Sequence, residues 1–344
     1  MKANPAYSIL DLAPVGEGRS VGDALRDSIE LARAAERLGY RRHWVAEHHN
    51  MPGIASSAPA VLIAHLAAAT ERIRVGSGGV MLLNHAPLVV AEQFGMLEAT
   101  HPGRIDLGIG RAPGTDGATA AALRRSPEGL GAEDFPHELT DLLRFFSGEF
   151  PAGDPMASIT AVPGKGETPE VWLLGSSGFS AQLAGMLGMP FSFAHHFSSR
   201  NTIPALALYR ESFTASPQLD RPRAMIAVSV TAAADDERAR YIAGPAKLAM
   251  ARLRSGRPSR LPTPEQAAAH EFSPAEEHAA GSMGGSAIIG GPETVRAGVE
   301  ELIERTSADE LMLTTMVHDP ADRIRTLEIV AETMGIEPLV AAAA

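Results

Sequence analysis

The chain has 344 residues, a formal net charge of −11, 45% hydrophobic and 21% charged residues, and no cysteine. Lacking cysteine, it has no disulfide framework, thiolate metal site or cysteine nucleophile, and so acidic a chain lacks the positive field that nucleic acid or an anionic membrane surface requires. No apolar run approaches the roughly 18 residues of a membrane helix, and residues 1–12 lack a signal-peptide layout, so the expectation is a soluble cytoplasmic protein.

Strand-length apolar runs alternate with helical periodicity along the chain. Residues 7–12 read as the first strand, closed by Pro14 and a loop holding Gly16 and Gly18. Ser20 with Asp23 has the form of a capping box. Leu25, Ile29, Ala32 and Ala35 then form an apolar stripe that Gly39 ends. Strands at 42–46, 73–76 and 105–110 follow, the first two succeeded by helices at 59–69 and 88–100. Runs at 171–174, 191–193, 224–230 and 311–316 complete eight strands, with helical segments near 181–187, 204–214, 235–253 and 321–334. Such alternation implies parallel strands joined by helical crossovers. Eight strands close an α/β (β/α)8 TIM barrel, which commonly reaches this length, so residues 1–344 read as a single domain. No Gly-x-Gly-x-x-Gly follows the first strand, which disfavours an open dinucleotide-binding sheet.

Two stretches interrupt the pattern. Residues 111–136, with Gly114, Gly117, Gly129 and Gly131, read as a long connection holding a short helix near 118–125. Residues 252–285 run from Arg252, Arg254, Arg257 and Arg260 through Pro262 and Pro264 to acidic residues and a glycine-rich end at 281–285, a composition that predicts a mobile lid. Residues 341–344 read as a frayed end.

The active site of such a barrel lies at the C-terminal ends of its strands. Five successive strand ends here carry polar residues or glycine: Ala46-Glu-His-His-Asn50, Gly76-Ser-Gly-Gly79, Gly108-Ile-Gly-Arg-Ala-Pro-Gly114, Leu174-Gly-Ser-Ser177 and Ala194-His-His-Phe197. His48 and His49 would point to opposite faces of an extended chain and cannot share a metal, and the same holds for His195 and His196; no metal site is expected. The Gly76–Gly79 run is either a tight turn or a surface against which a flat ligand lies. Arg111 is either a surface ion pair or a phosphate ligand. Ser176 and Ser177 are either ordinary helix caps or part of an anion site at a helix N-terminus. Phe191, Phe193, Phe197 and Leu10 read either as core or as an apolar substrate lining.

The segments Trp44-Val-Ala-Glu-His-His-Asn50, Ile73-Arg-Val-Gly-Ser-Gly-Gly-Val80 and Gly103-Arg-Ile-Asp-Leu-Gly-Ile-Gly-Arg111 resemble the bacterial luciferase-like flavin-dependent monooxygenases, in their single-component, non-emitting branch. The resemblance implies a barrel that binds reduced FMN, forms a flavin C4a-peroxide with O2 and oxygenates a small, hydrophobic organic substrate. It further implies that His48 acts at the flavin peroxide, that Gly78 and Gly79 form a non-prolyl cis peptide against the flavin ring, and that Arg111 and Ser176 bind the phosphate, with Ser177 or Ser180 as a second donor. A separate flavin reductase and a homodimer, through the helices beside the second and third strands, belong to the same expectation. The light-emitting subunit has Cys where Gly110 stands and Glu where Gly175 stands, so light emission is not expected. The alternatives are F420-dependent hydride transfer on the same fold, and a non-catalytic flavin-binding protein.

Overall fold

Strand and helix alternate as the apolar pattern implies in a computed structural model that describes residues 5–124, 132–278 and 287–339. In chain order the elements are β1 Ala6–Asp11, α1 Val21–Leu38, β2 Arg42–Val45, α2 Pro59–Ala69, β3 Arg74–Met81, α3 Pro87–Thr100, β4 Ile105–Gly110, α4 Gly117–Arg124, α5 Phe135–Ser147, β5 Glu170–Gly175, α6 Gly178–Met186, β6 Phe191–Phe193, α7 His195–Ser198, α8 Thr202–Glu211, β7 Ala224–Ala232, α9 Asp236–Arg254, α10 Pro264–Ala268, β8 Ile288–Gly290, α11 Pro292–Thr306, β9 Glu310–Thr314 and α12 Pro320–Met334. Strands β1 to β7 pair in order and in parallel, β7 pairs with β9, and β9 returns to β1, closing an eight-stranded barrel. The short β8 extends the top of β7, pairing with Val230 to Ala232 beyond the reach of β9.

Local signals act as their chemistry requires. Ser20 and Asp23 form the reciprocal capping box of α1, and Gly39 ends that helix at φ 92°, a left-handed conformation that favours glycine. Residues 135–147 form a helix where the sequence reading continues a loop to 136. Its buried face of Phe135, Leu139, Leu142 and Phe146 has helical spacing, and Pro136 sits in the first turn, where a missing N–H is harmless. Helix α11 and strand β8 likewise lie outside the sequence reading; Val295, Val299 and Leu302 form the buried stripe of α11. The short helix expected near 118–125 is α4; its last expected residue, with Gly129 and Gly131, falls outside the described residues, as do 281–285 and 341–344.

Period-two alternation sorts the strands. Tyr7, Ile9, Val45, Val75, Leu107, Phe191, Phe193, Ile226 and Leu313 face the helices in the main core. Leu10, Trp44, Ala46, Trp172, Met225 and Met312 form the separate core inside the barrel. Phe191 and Phe193 are therefore ordinary core, which removes them from the expected substrate lining. At the N-terminal end the interior is charged: Arg42 bonds Asp106 and Glu310, each at 2.8 Å, Arg74 meets Asp106 at 2.6 Å and Arg223 meets Glu170 at 2.5 Å. No helix among the described residues is long and apolar enough to cross a membrane.

Candidate active site

The opposite end of the barrel opens into a cavity of about 1150 Å³. His48, Gly78, Gly79, Arg111, Ser176, Ser177 and Ser180, far apart in sequence, all line it. Leu10 and Phe197 line it as well.

The Gly78–Gly79 peptide is cis. The protein itself crowds both glycines: a Cβ on Gly79 would come within 2.7 Å of the Gly108 carbonyl oxygen, which is backbone and cannot yield, and one on Gly78 within 2.7 Å of Leu10 Cδ1, a side-chain tip that would have to turn away. Neither a surface turn nor ligand access alone explains this run, since Gly79 lies against the β4 backbone and Gly78 against Leu10 and Trp44 inside the barrel. Gly175, which departs from the light-emitting pattern, has a local cause too, because a Cβ there would lie 2.6 Å from Ser180 Cβ.

Beyond β2 the two adjacent histidines separate. His48 lines the cavity, while His49 Nε2 lies 2.9 Å from Glu47 Oε1. Glu47 is fully buried and also takes bonds from His85 Nε2 at 2.9 Å and the Met81 N–H at 3.0 Å. Burial opposes its ionisation, but those bonds, His85 foremost, outweigh burial and hold the carboxyl below its usual range. Glu47, which also accepts from Asn84 Nδ2 at 3.3 Å, thus ties the His48–His49 turn to β3, a role the sequence reading missed because its four partners converge only in the fold. Burial lowers the His48 imidazole from 6.5 to about 4, with nearby His196 adding to the fall against the pull of Glu47, so the ring is neutral at pH 7. Its Nδ1 is buried without a partner among the described residues.

Arg111 stacks on Phe179, its Cζ 4.3 Å from the ring centroid, and no carboxylate pairs with it among the described residues. Ser177 is the N-cap of α6, yet its hydroxyl makes no capping bond. Ser176, Ser177 and the buried Ser180 therefore bring hydroxyls, beside the exposed N–H groups of a helix N-terminus, to the same cavity as a guanidinium. That set matches a phosphate in charge and donor count.

His195 and His196 also diverge, though from the first turn of α7 and not from an extended strand. His195 is buried with Nδ1 2.8 Å from Thr202 Oγ1, whereas His196 lines the cavity with Nδ1 3.1 Å from the Ala227 carbonyl oxygen. The segment after α9 also reaches the cavity. Leu261 exchanges backbone bonds of 2.9 Å with Val15 and Glu17, Arg260 donates to the Arg19 carbonyl at 2.7 Å, and Lys247 pairs with Glu277 at 2.8 Å. Pro258, Ser259, Leu261 and Glu277 line the cavity, so the described part of the segment expected to be a mobile lid borders the site and is hydrogen-bonded to the β1–α1 loop.

The family profile of luciferase-like monooxygenases matches residues 6–310. A Bacillus subtilis protein, the uncharacterized YvbT, is 50% identical over 94% of this chain and 95% of its own length. An Escherichia coli K12 protein described as a luciferase-like monooxygenase is 45% identical over 94% of this chain and 95% of its own. The crystal structure of apo-MsnO8 superposes with a TM-score of 0.87 at 36% identity, covering 98% of this chain and all (100%) of that one.

Proposed function

The chain belongs to the luciferase-like monooxygenase family and is a flavin-dependent monooxygenase, and we propose that it uses reduced FMN and O2 to oxygenate a small, largely apolar organic substrate. The observation that carries the cofactor reading is the Arg111 guanidinium, without a carboxylate partner among the described residues, sharing a cavity with the N-terminus of α6 and the hydroxyls of Ser176, Ser177 and Ser180. Two distant structures sharing the fold point in different directions. The oxygenating constituent of 3,6-diketocamphane monooxygenase, in complex with FMN, superposes at TM-score 0.72 and 19% identity, and an F420-dependent secondary alcohol dehydrogenase at 0.68 and 15%. The oxygen chemistry of the family favours FMN.

Bound FMN, once reduced, supplies the electrons that activate O2. The chain's own residues do the rest. Arg111 and the α6 terminus hold the phosphate, and the Gly78–Gly79 backbone gives the flavin ring a flat seat. His48, neutral at working pH, holds or transfers a proton at Nε2, the nitrogen left to the cavity when Nδ1 is enclosed. Residues 255–278 act as a lid that keeps water from the reacting atoms. A separate reductase supplies the reduced flavin, and a homodimer forms through α2 and α3, where Val61, Val89 and Met96 are exposed.

Oxygen uptake in the presence of NADH, a flavin reductase and FMN tests the reading. Uptake above that of the reductase alone is expected, with H2O2 release falling when a true substrate is added. Turnover with reduced F420 and no O2 consumption would replace this reading with hydride transfer, and saturable FMN binding without O2 uptake would leave only a flavin-binding protein.

A further inference from the structure

The cavity has two walls of different chemistry. One, from β3, β4, β5 and α6, carries the groups assigned above to the flavin. The other, from β6, α7, β7, β9 and α9, carries Ser192, His196, Ser229, Thr231 and Thr314, none of which a flavin phosphate at Arg111 needs. Thr314 is only 4% exposed, and its Oγ1 has no hydrogen-bond partner among the described residues.

His196 is held in one tautomer. The Ala227 carbonyl 3.1 Å from Nδ1 can only accept, so Nδ1 carries the proton and Nε2 presents a bare lone pair. Burial outweighs the effect of that bond and lowers the pKa of the ring, which keeps the acceptor in place at pH 7. Lys247 and Glu277 pair at 2.8 Å, and Arg254 already has an interaction of its own. Leu12, Met250, Leu253, Leu261 and Ile289 add apolar side chains to the same cavity.

Building on the flavin monooxygenase reading, we propose that this wall is the substrate subsite and that it selects an uncharged amphipathic molecule. An O–H or N–H on the head donates to His196 Nε2, the head's oxygen accepts from Thr314 Oγ1, and an apolar tail lies along α9. His196 and Thr314 are thus specificity-determining residues. A ligand lacking the donor leaves a desolvated acceptor unpaired, which is how a hydrogen-bonding pocket rejects an isostere.

Octan-1-ol and its isomer heptyl methyl ether differ in that donor and match in size. Each is titrated into wild type, His196→Ala and Thr314→Val, with and without FMN, while ¹⁵N imidazole spectra report the histidine tautomers. The wild type is expected to hold the alcohol about tenfold more tightly than the ether. His196→Ala brings the ratio to within about twofold, whereas Thr314→Val weakens both probes and leaves the ratio near that of wild type, because either oxygen can accept from Thr314. The spectra show His196 protonated on Nδ1, with the Nε2 resonance moving on addition of the alcohol and not of the ether. Equal binding of the two probes by wild type, an Nε2-protonated His196, or a ratio unchanged in His196→Ala overturns the proposal. Failure of FMN to load overturns the cofactor reading alone, because the tautomer and the probe ratio are both read without flavin.

Discussion

The two ends of the barrel are built from the same inward-facing strand positions, and they differ in whether their arginines meet carboxylates among the described residues. At the N-terminal end Arg42, Arg74 and Arg223 each meet a carboxylate at 2.8 Å or less, and Trp44 Nε1 donates to Asp106 at 2.8 Å. At the C-terminal end the Arg111 guanidinium has no carboxylate, and His48 Nδ1 and Thr314 Oγ1 have no partner among the described residues. The arginines of one end are tied to carboxylates on other strands, although Arg42 Nη2 and Arg223 Nη2 make no hydrogen bond among the described residues, whereas Arg111 at the other end borders the cavity. Charge alone therefore does not mark a site, because the more heavily charged end is the closed one.

The sharpest way to break the contrast is at the closed end. Arg42→Met leaves Asp106 and Glu310 with a lost partner in a buried network, and stability should fall by about 3–5 kcal/mol, read from urea unfolding. FMN affinity of the folded fraction should be unchanged; a variant of native stability would show that the network is dispensable. Acid tests the open end. His48 titrates near 4 in the fold and at 6.5 when free, so between those values the unfolded chain binds more protons. Its contribution, on the order of 3 kcal/mol at most, is present above pH 6.5 and lost as the pH falls through 4. His195 is likewise lowered to about 4 by burial and adds to the same slope. His48→Asn should flatten the slope in part; an unaltered pH profile of stability would contradict the buried neutral ring.

Effects on function should be smaller in free energy and confined to the open end. His48→Asn should lower the oxygenation rate about 100-fold while FMN affinity stays within about twofold. Normal oxygenation by this variant would remove His48 from the chemistry. Ser177→Ala, which deletes one neutral donor, should weaken FMN only about fivefold; no change in the titrated affinity would take that hydroxyl out of the phosphate site.

Much of this contrast was legible before the fold. The eight barrel strands follow from apolar alternation, and the cavity residues follow from asking which side chains stand just beyond strand ends. Three things were not legible. Glu47 reads as one letter of a motif until His49, His85 and Met81 converge on it. Phe191 and Phe193 cannot be turned inward or outward without the register that pairs them with Ala224 and Ile226. The glycines at 78 and 79 suggest room for a ligand, but the contacts that crowd a side chain come from Leu10 and Gly108, on other strands. Helix α5 is hidden for a different reason, since its stripe starts where the glycine-rich connection ends.

The central claim is that the open end holds the phosphate of FMN at Arg111. Spectral titration of wild type and Arg111→Ala with reduced FMN and with F420, under anaerobic conditions, tests it most directly. The account predicts saturable FMN binding that weakens by about 10- to 100-fold in Arg111→Ala, the loss expected for one charge-assisted contact, and no comparable binding of F420. Tighter binding of F420 than of FMN, or equal FMN affinity in the two proteins, would contradict it.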